Sequence, residues 1–360
     1  MSGCRKRHIK TVLLLFTAWL PIACSTIDDD LSNCIVPDPE PPVPEEQTIE
    51  LDYELQLVTN INTEISTQLN TIAEAYIADA LRTHLNTVFT DYARDVDLSF
   101  YDTENNQERL SHDQHVMNAS EKSYTLHLPM REYMHLAAAN LRDNSVVELT
   151  DDERCPTSKL AIIPADKDTI DSHTTGLFSA RLPMRIIEGV SQEFHVSLYM
   201  ANCAEALVLD PRDHDFKDIK VFTTGFATQF HINDSTFSFS EKSPIVRTVK
   251  VDSESEDLCF YSVNFPSKET EEMRTVIETE EPFEETASDE TLWQIRVYIT
   301  LENGTVTESI LNVREPQRAG QFRIIKGYLG DSGEVKTENQ TVGVSVTLNW
   351  NDGGTHDVDL

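Results

Sequence analysis

The chain has 360 residues, with 62 Asp and Glu against 29 Lys and Arg and a net charge of −33. Four of the basic residues precede Cys24, so the rest of the chain holds 25 against 62, a net −37. That charge excludes nucleic-acid binding, which neutralises phosphates with Lys and Arg, and it disfavours lying flat on anionic lipid. No glycine occurs between Gly3 and Gly176, which removes phosphate-cradling loops from the first half, and the length suits two domains of ordinary size.

In chain order, Arg5, Lys6, Arg7 and Lys10 form a basic opening, and an apolar run from Val12 to Leu20 follows. The run is too short for a membrane-spanning helix, which needs ~20 apolar residues, and fits the core of a secretory signal. Pro21-Ile22-Ala23-Cys24 then resembles the lipobox of bacterial lipoproteins. The resemblance implies cleavage before Cys24, a diacylglyceryl thioether on its sulfur and an acylated N-terminus. One chain alone holds a protein to a membrane only marginally, whereas several hold it durably. The signal is thus expected over 1–23 and an acidic, Pro-rich tether over 24–47, with prolines from Pro37 to Pro44 favouring an extended spacer.

Folded structure is expected from residue 48. Ile49, Leu51, Tyr53, Leu55 and Leu57 alternate with polar residues, the pattern of a half-buried strand. Ile65, Leu69, Ile72, Tyr76, Leu81, Leu85, Val88 and Tyr92 recur mostly at three or four, predicting one amphipathic helix over 65–93. Strand patterns follow at Val96–Phe100, Tyr124–Leu128, Tyr133–Leu141 and, interrupted by Pro183, Leu177–Ile187. The polar stretch Asp151–Ser172 reads as loop. A first domain over 48–187 and a second over 188–360 are expected.

The second half is β in pattern throughout. Phe194–Met200, Ile219–Val221, Phe237–Phe239 and Leu258–Phe265 are expected strands. An acidic stretch from Glu269 to Glu290 reads as a solvated insertion. Trp293–Leu301 alternates strictly, Asn303-Gly304 predicts a tight hairpin turn, and Val342–Trp350 is the last strand. Many short strands with one helix predict an all-β protein of two tandem β-sandwich domains.

Six cysteines occur. Cys4 leaves with the signal and Cys24 is the lipidation site, so Cys34, Cys155, Cys203 and Cys259 remain. Four cysteines in an exported chain suggest two disulfides, with three possible connectivities. Two cysteines fall in each half of the chain, which favours Cys34–Cys155 and Cys203–Cys259; buried thiols are the plainer alternative. No CxxC spacing, GxSxG, HExxH or P-loop occurs, so no catalytic residue, metal or cofactor is assigned. His112 and His115 could share a metal only on a helix, and their polar surroundings favour a loop. Asp210, Asp213, His214, Asp215 and Asp218 cluster without the glycine of a tight ion-binding turn. His127 and His135 read as polar-face strand residues.

Four stretches together resemble the fimbrillin-associated anchor proteins of Bacteroidales, the FimB-like group. They are Cys24 with Asp29-Asp30-Leu31-Ser32-Asn33-Cys34; Leu128-Pro129, Tyr133 and Ala137-Ala138-Ala139-Asn140-Leu141; Phe194–Met200; and Val344–Gly354. The resemblance implies transthyretin-like sandwiches and an outer-membrane lipoprotein with its body outside the cell. It implies a partner too, a fimbrial stalk subunit (fimbrillin) engaged through strand exchange, and a role in holding the base of a fimbria or limiting its length. Asp28-Asp29-Asp30 also resembles a surface-export tag. In related stalk subunits an Arg- or Lys-specific protease removes the first strand, yet here no Lys or Arg lies between Cys24 and Arg82. The competing expectations are a surface glycan-binding lipoprotein, which needs an exposed aromatic platform from Trp293 or Trp350, and a fimbrial tip or stalk subunit, which needs proteolytic maturation.

Overall fold

The computed structural model describes residues 47–104, 107–118, 123–163, 168–189, 191–269, 290–337 and 342–349. The first part runs β1 (Thr48–Val58), α1 (Ile61–Leu69), α2 (Ala75–Val88), β2 (Asp95–Asp102), β3 (Arg109–Val116), β4 (Ser123–Pro129) and β5 (Glu132–Ala139). Then come β6 (Val147–Thr150), β7 (Lys159–Ile162), β8 (Thr169–Asp171), β9 (Phe178–Arg185), β10 (Glu193–Met200), β11 (Cys203–Asp210) and β12 (Phe216–Thr224). The remainder is β13 (Gln229–His231), β14 (Thr236–Ser238), β15 (Ile245–Arg247), β16 (Val249–Val251), β17 (Leu258–Asn264), β18 (Trp293–Leu301), β19 (Val306–Val313), β20 (Phe322–Leu329), β21 (Val335–Lys336) and β22 (Val342–Asn349).

These strands form four sheets, in the orders β3-β2-β5-β9-β10-β1-β4, β16-β17-β11-β20-β21, β22-β19-β18-β12-β15-β8 and β14-β13-β7-β6. The all-β sandwich class is as the patterns predict. The expected boundary at 187/188 falls within the seven-stranded sheet: β10 lies beyond it in sequence but pairs with β1 and β9. Strand β8 likewise pairs with β15, and β7 with β13, so the two halves exchange strands.

Side chains sort the sheets into layers. Leu51, Tyr53 and Leu55 of β1 share one core with both helices and with Ala204, Ala206 and Val208 of β11. The helices are therefore held between the seven-stranded and five-stranded sheets. The opposite face of β11, with Cys203, Leu207 and Leu209, joins Trp293, Ile295, Val297 and Ile299 of β18 in a second core. A third core sets Tyr101, Leu136 and Ala138 against Leu160, Ile162 and Phe230.

The single helix expected over 65–93 is two. After Leu69, the Thr71 and Ile72 amides bond back to the Gln68 and Leu69 carbonyls at 3.0 Å, a tightened last turn. Thr71 Oγ1 also donates to Gln68 O at 2.7 Å, the local competition by which Thr weakens helix interiors. The break resets the apolar phase: Ile61, Ile65 and Leu69 are buried in α1 and Ile77, Leu81 and Leu85 in α2. Tyr76, which an unbroken stripe would bury, is 61% exposed.

Pro183 is accommodated because β9 pairs with β5 along its whole length but with β10 only at Phe178 and Ser179. No neighbour there requires its missing N–H. At the β18–β19 hairpin only Gly304 takes positive φ, at +85°. Gly304 N bonds Leu301 O and Leu301 N bonds Thr305 O, both at 2.9 Å. The turn is thus a three-residue loop closed by a glycine rather than a two-residue Asn-Gly turn.

The phase of α2 predicts a contrast. Leu81→Ala, in the layer between two sheets, is expected to cost ~3 kcal/mol, whereas Tyr76→Ala stays within ~0.5 kcal/mol. Urea unfolding of the two variants measures the difference.

Candidate functional site

The candidate site is the first strand and the free sheet edges, since no motif gathers reactive groups. Strand β1 begins one residue after the expected tether. It pairs antiparallel with β4 over Thr48–Glu54 and parallel with β10 over Asp52–Val58. Both its edges are thus in use, and its centre is hydrogen-bonded on both sides. Alternation turns Tyr53 inward, where its hydroxyl lies 2.5 Å from His135 Nε2. His135 Nδ1 lies 3.1 Å from Ser99 O. A carbonyl only accepts, so Nδ1 carries the proton and Nε2 accepts from Tyr53.

His135 is therefore not the polar-face residue expected. It is fully buried and stacked on Phe100 at 4.3 Å between ring centres. Burial lowers its pKa to about 4, against a smaller raising effect of the Ser99 carbonyl, so it is neutral in the fold. His127 does lie outward, 3.8 Å from Glu50 on β1. His173, which no sequence pattern marks, is buried against Phe265, neither ring nitrogen has a hydrogen-bond partner, and desolvation lowers its pKa to about 3.

Arg82, the first basic residue after Cys24, lies mid-way along α2 and pairs with Asp79 at 2.8 Å. Cys24, Cys34 and the tether lie outside the described residues, as do the acidic stretch 270–289 and Trp350. Trp293 is buried, with Nε1 donating to Glu315 O at 3.0 Å, so it supplies no platform. Strand β22 is an edge strand, paired with β19 over Val342–Asn349.

The expected Cys203–Cys259 bridge is overturned. Cys203 is opposite Asn264 and Cys259 opposite Val208 on antiparallel β11 and β17. Five residues separate them along the sheet, ~17 Å, where a disulfide needs Cα atoms within ~7 Å. They also face different cores and are buried thiols, with burial pushing Cys259 up to about 12. Cys155 is buried with Sγ 3.6 Å from Asp152 and Thr157; its expected partner Cys34 is among the residues not described. His112 and His115 lie on a strand rather than a loop, bonded to Asp97 at 2.9 Å and Asp113 at 3.2 Å. In the Asp210–Asp218 cluster, Asp210 Oδ1 accepts from Arg212 N at 2.7 Å and His214 lies 3.7 Å from Asp331. Among the described residues, one group could gather on a cation: Glu54, Glu193 and His195, at the surface across β1 and β10.

One buried acid interrupts the core between the five- and six-stranded sheets. Glu205 Oε1 accepts from Ser262 Oγ and Asn264 Nδ2, both at 2.5 Å, and Thr223 Oγ1 lies 3.0 Å from Ser262 Oγ. Oε2 has no partner. Desolvation outweighs these bonds and raises the carboxyl to about 8, so Glu205 is protonated at neutral pH.

No protein-family model and no curated protein matches this sequence. Solved structures do match it, at low identity. A candidate polysaccharide-binding protein of Bacteroides thetaiotaomicron matches at 11% identity and a TM-score of 0.49, over 83% of this chain and 98% of that one. A candidate adhesin of Bacteroides ovatus matches at 10% identity and a TM-score of 0.48, over 81% and 94%. The fimbrial anchor protein Mfa2 of Porphyromonas gingivalis matches at 10% identity and a TM-score of 0.42, over 84% and 98%. The structural neighbours thus include adhesin-type and fimbrial proteins of Bacteroidales.

Glu205 generates a pH prediction. Its folded pKa lies above the unfolded value of 4.5, so the proton it holds stabilises the fold most below that value and less as pH rises through about 8. Glu205→Gln is expected to match the parent in thermal unfolding at pH 4, to exceed it increasingly from pH 5 to 8, and to keep a constant margin above that. Parallel curves from pH 5 to 8 would refute the assignment. In a second measurement, alkylation of the unreduced, unfolded protein should label both Cys203 and Cys259.

Proposed function

We propose that the protein is a fimbrial anchor or assembly subunit, held to the bacterial outer membrane through lipid on Cys24 with its body at the cell surface. The observation that carries this reading is the intact first strand. No Lys or Arg lies between Cys24 and β1, and the first, Arg82, sits in a helix beyond it. A helix interior is a poor protease site, and β1 is paired on both sides. An Arg- or Lys-specific protease therefore has no route to separate this sheet from its tether. A stalk subunit must release that strand, and an anchor must keep it.

The partner in this reading is a fimbrial stalk subunit, fimbrillin, joined by strand exchange at an edge such as β22. Backbone bonds along that edge supply continuity and alternate side chains supply specificity. A Cys34–Cys155 bridge would fasten the tether to the body within a folded unit that an oxidising compartment favours.

Mass spectrometry of protein isolated from its native membranes tests the reading. The expected first residue is an acylated Cys24, and Cys24→Ala should move most of the protein off the membrane. Cells lacking the protein should shed fimbriae into the medium or grow them abnormally long. Native material starting beyond Arg82, or free of fatty acid, would overturn the proposal.

A further inference from the structure

We infer that the outward face of the six-stranded sheet is a docking surface for a polyuronate, an acidic polysaccharide with a carboxylate on each sugar. The pairing of β12 with β18 sets Lys220 beside Tyr298, Phe222 beside Arg296 and Thr224 beside Gln294, and β15 adds Arg247 beside Phe222. Val221, Ile295, Val297 and Ile299 at the intervening positions are buried in the core, so alternation turns the first set outward, where the longer side chains cover Phe222 and Thr224 to 6% and 8% exposure. Two depressions are lined in part by this face. One, of about 430 Å³, lies where it meets the edge strand β16 of the five-stranded sheet, with Lys220 and Arg247 beside Phe222 and Tyr298 and Lys250 supplied by β16. The other, of about 400 Å³, holds Lys242, Lys268 and Arg296 beside Thr224 and Gln294.

Charge is the observation that decides. The charged side chains lining the two depressions are six basic ones and two acidic ones, Asp218 and Glu290, whereas acids outnumber bases 62 to 29 over the chain. The composition is inverted at this place. Arg247 pairs with Asp171 at 2.6 Å and Lys242 with Asp168 at 2.7 Å, but both are exposed pairs. Such pairs are weak and can be exchanged for ligand carboxylates. Arg296 Nη2 donates to Gln294, and its Nε has no hydrogen-bond partner. Tyr298 donates to Glu308 at 2.7 Å and packs edge-on against Phe222 at 5.9 Å.

At Phe222 and Thr223 β12 is paired on both sides, whereas Phe216–Lys220 pairs with β18 alone, so an acidic polypeptide added as a strand is the competing occupant that the poly-glutamate arm below tests. What the face offers is guanidinium, ammonium, hydroxyl, amide and aromatic groups, the mixture of ligand sites. Trp293 is buried beneath it, so recognition runs through charge and hydrogen bonds and weakens with salt.

This surface does not depend on acylation at Cys24, so its test is separate. Detergent-solubilised full-length protein should be retarded on electrophoresis through gels containing polygalacturonate, but not a neutral galactan. Lys220→Gln, Arg247→Gln and Arg296→Gln together should weaken that affinity by ~10-fold or more. The double variant Lys220→Gln/Lys250→Gln, confined to exposed residues, should weaken it in the same direction without altering the unfolding temperature. Arg142→Gln, Arg154→Gln and Arg185→Gln, elsewhere on the surface, should leave it unchanged. Absence of retardation, equal retardation by poly-glutamate, or equal weakening in the distant variant would overturn the inference.

Discussion

The fold depends on the register of β1 between β4 and β10. A parallel neighbour demands a long crossover, and here the crossover from β1 to β10 contains both helices and eight strands. The register is enforced by side-chain chemistry. Leu51, Tyr53 and Leu55 enter the core, while Glu50 lies outward beside His127 and Glu54 beside His195 at 2.8 Å. A slip of one residue would exchange these faces and bury three carboxylates, a cost no apolar gain offsets. The Tyr53–His135–Ser99 chain of hydrogen bonds adds a polar check on the same alignment.

The sequence makes some of this legible and hides the rest for definite reasons. Strands with one face in a core and one in water announce themselves by alternation, as in β1 and β18. Strand β20, covered by the helix layer on one side and by the six-stranded sheet on the other, is Phe-Arg-Ile-Ile-Lys-Gly-Tyr-Leu and shows no clean period. Strand β3 is an edge strand of almost wholly polar residues, and β7 and β8, at four and three residues, are too short to rise above the polar stretch around them. The helix was visible from its stripe, but its break was not, because the phase reset at Ile72–Ile77 is spread over residues that each fit either register.

The site was legible only in part. The charge desert before Arg82 can be read directly, and the structure adds that the first basic residue lies in a helix after a doubly paired strand. The disulfide expectation rested on counting cysteines per half. It failed because β11 and β17 pair in a register that separates Cys203 from Cys259 and turns them to opposite faces. The basic face is hidden in the sequence because its six cations are dispersed from Lys220 to Arg296 in an acidic sequence and come together only through the pairing of β12, β15 and β18 and the segments beside them.

That face can present a fixed pattern only if the six-stranded sheet does not slide over the sheet beneath it. An interface of Val, Ile and Leu alone resists sliding weakly, since apolar contacts carry little direction. The polar groups at one end supply the direction. Glu205, Ser262 and Asn264 rise from the five-stranded sheet to meet Thr223 on β12. Nearby, buried Gln317 donates from Nε2 to Ala204 O and from its backbone N–H to Ser267 Oγ, both at 2.9 Å. Sliding by one residue would break the bonds of Ser262 and Asn264 to Thr223 and leave the Thr223 hydroxyl without a partner in a dry interior, an expensive loss. The protonated state of Glu205 is part of the same logic: a neutral carboxyl can be held there at modest cost, whereas a charged one would strain the interface it aligns.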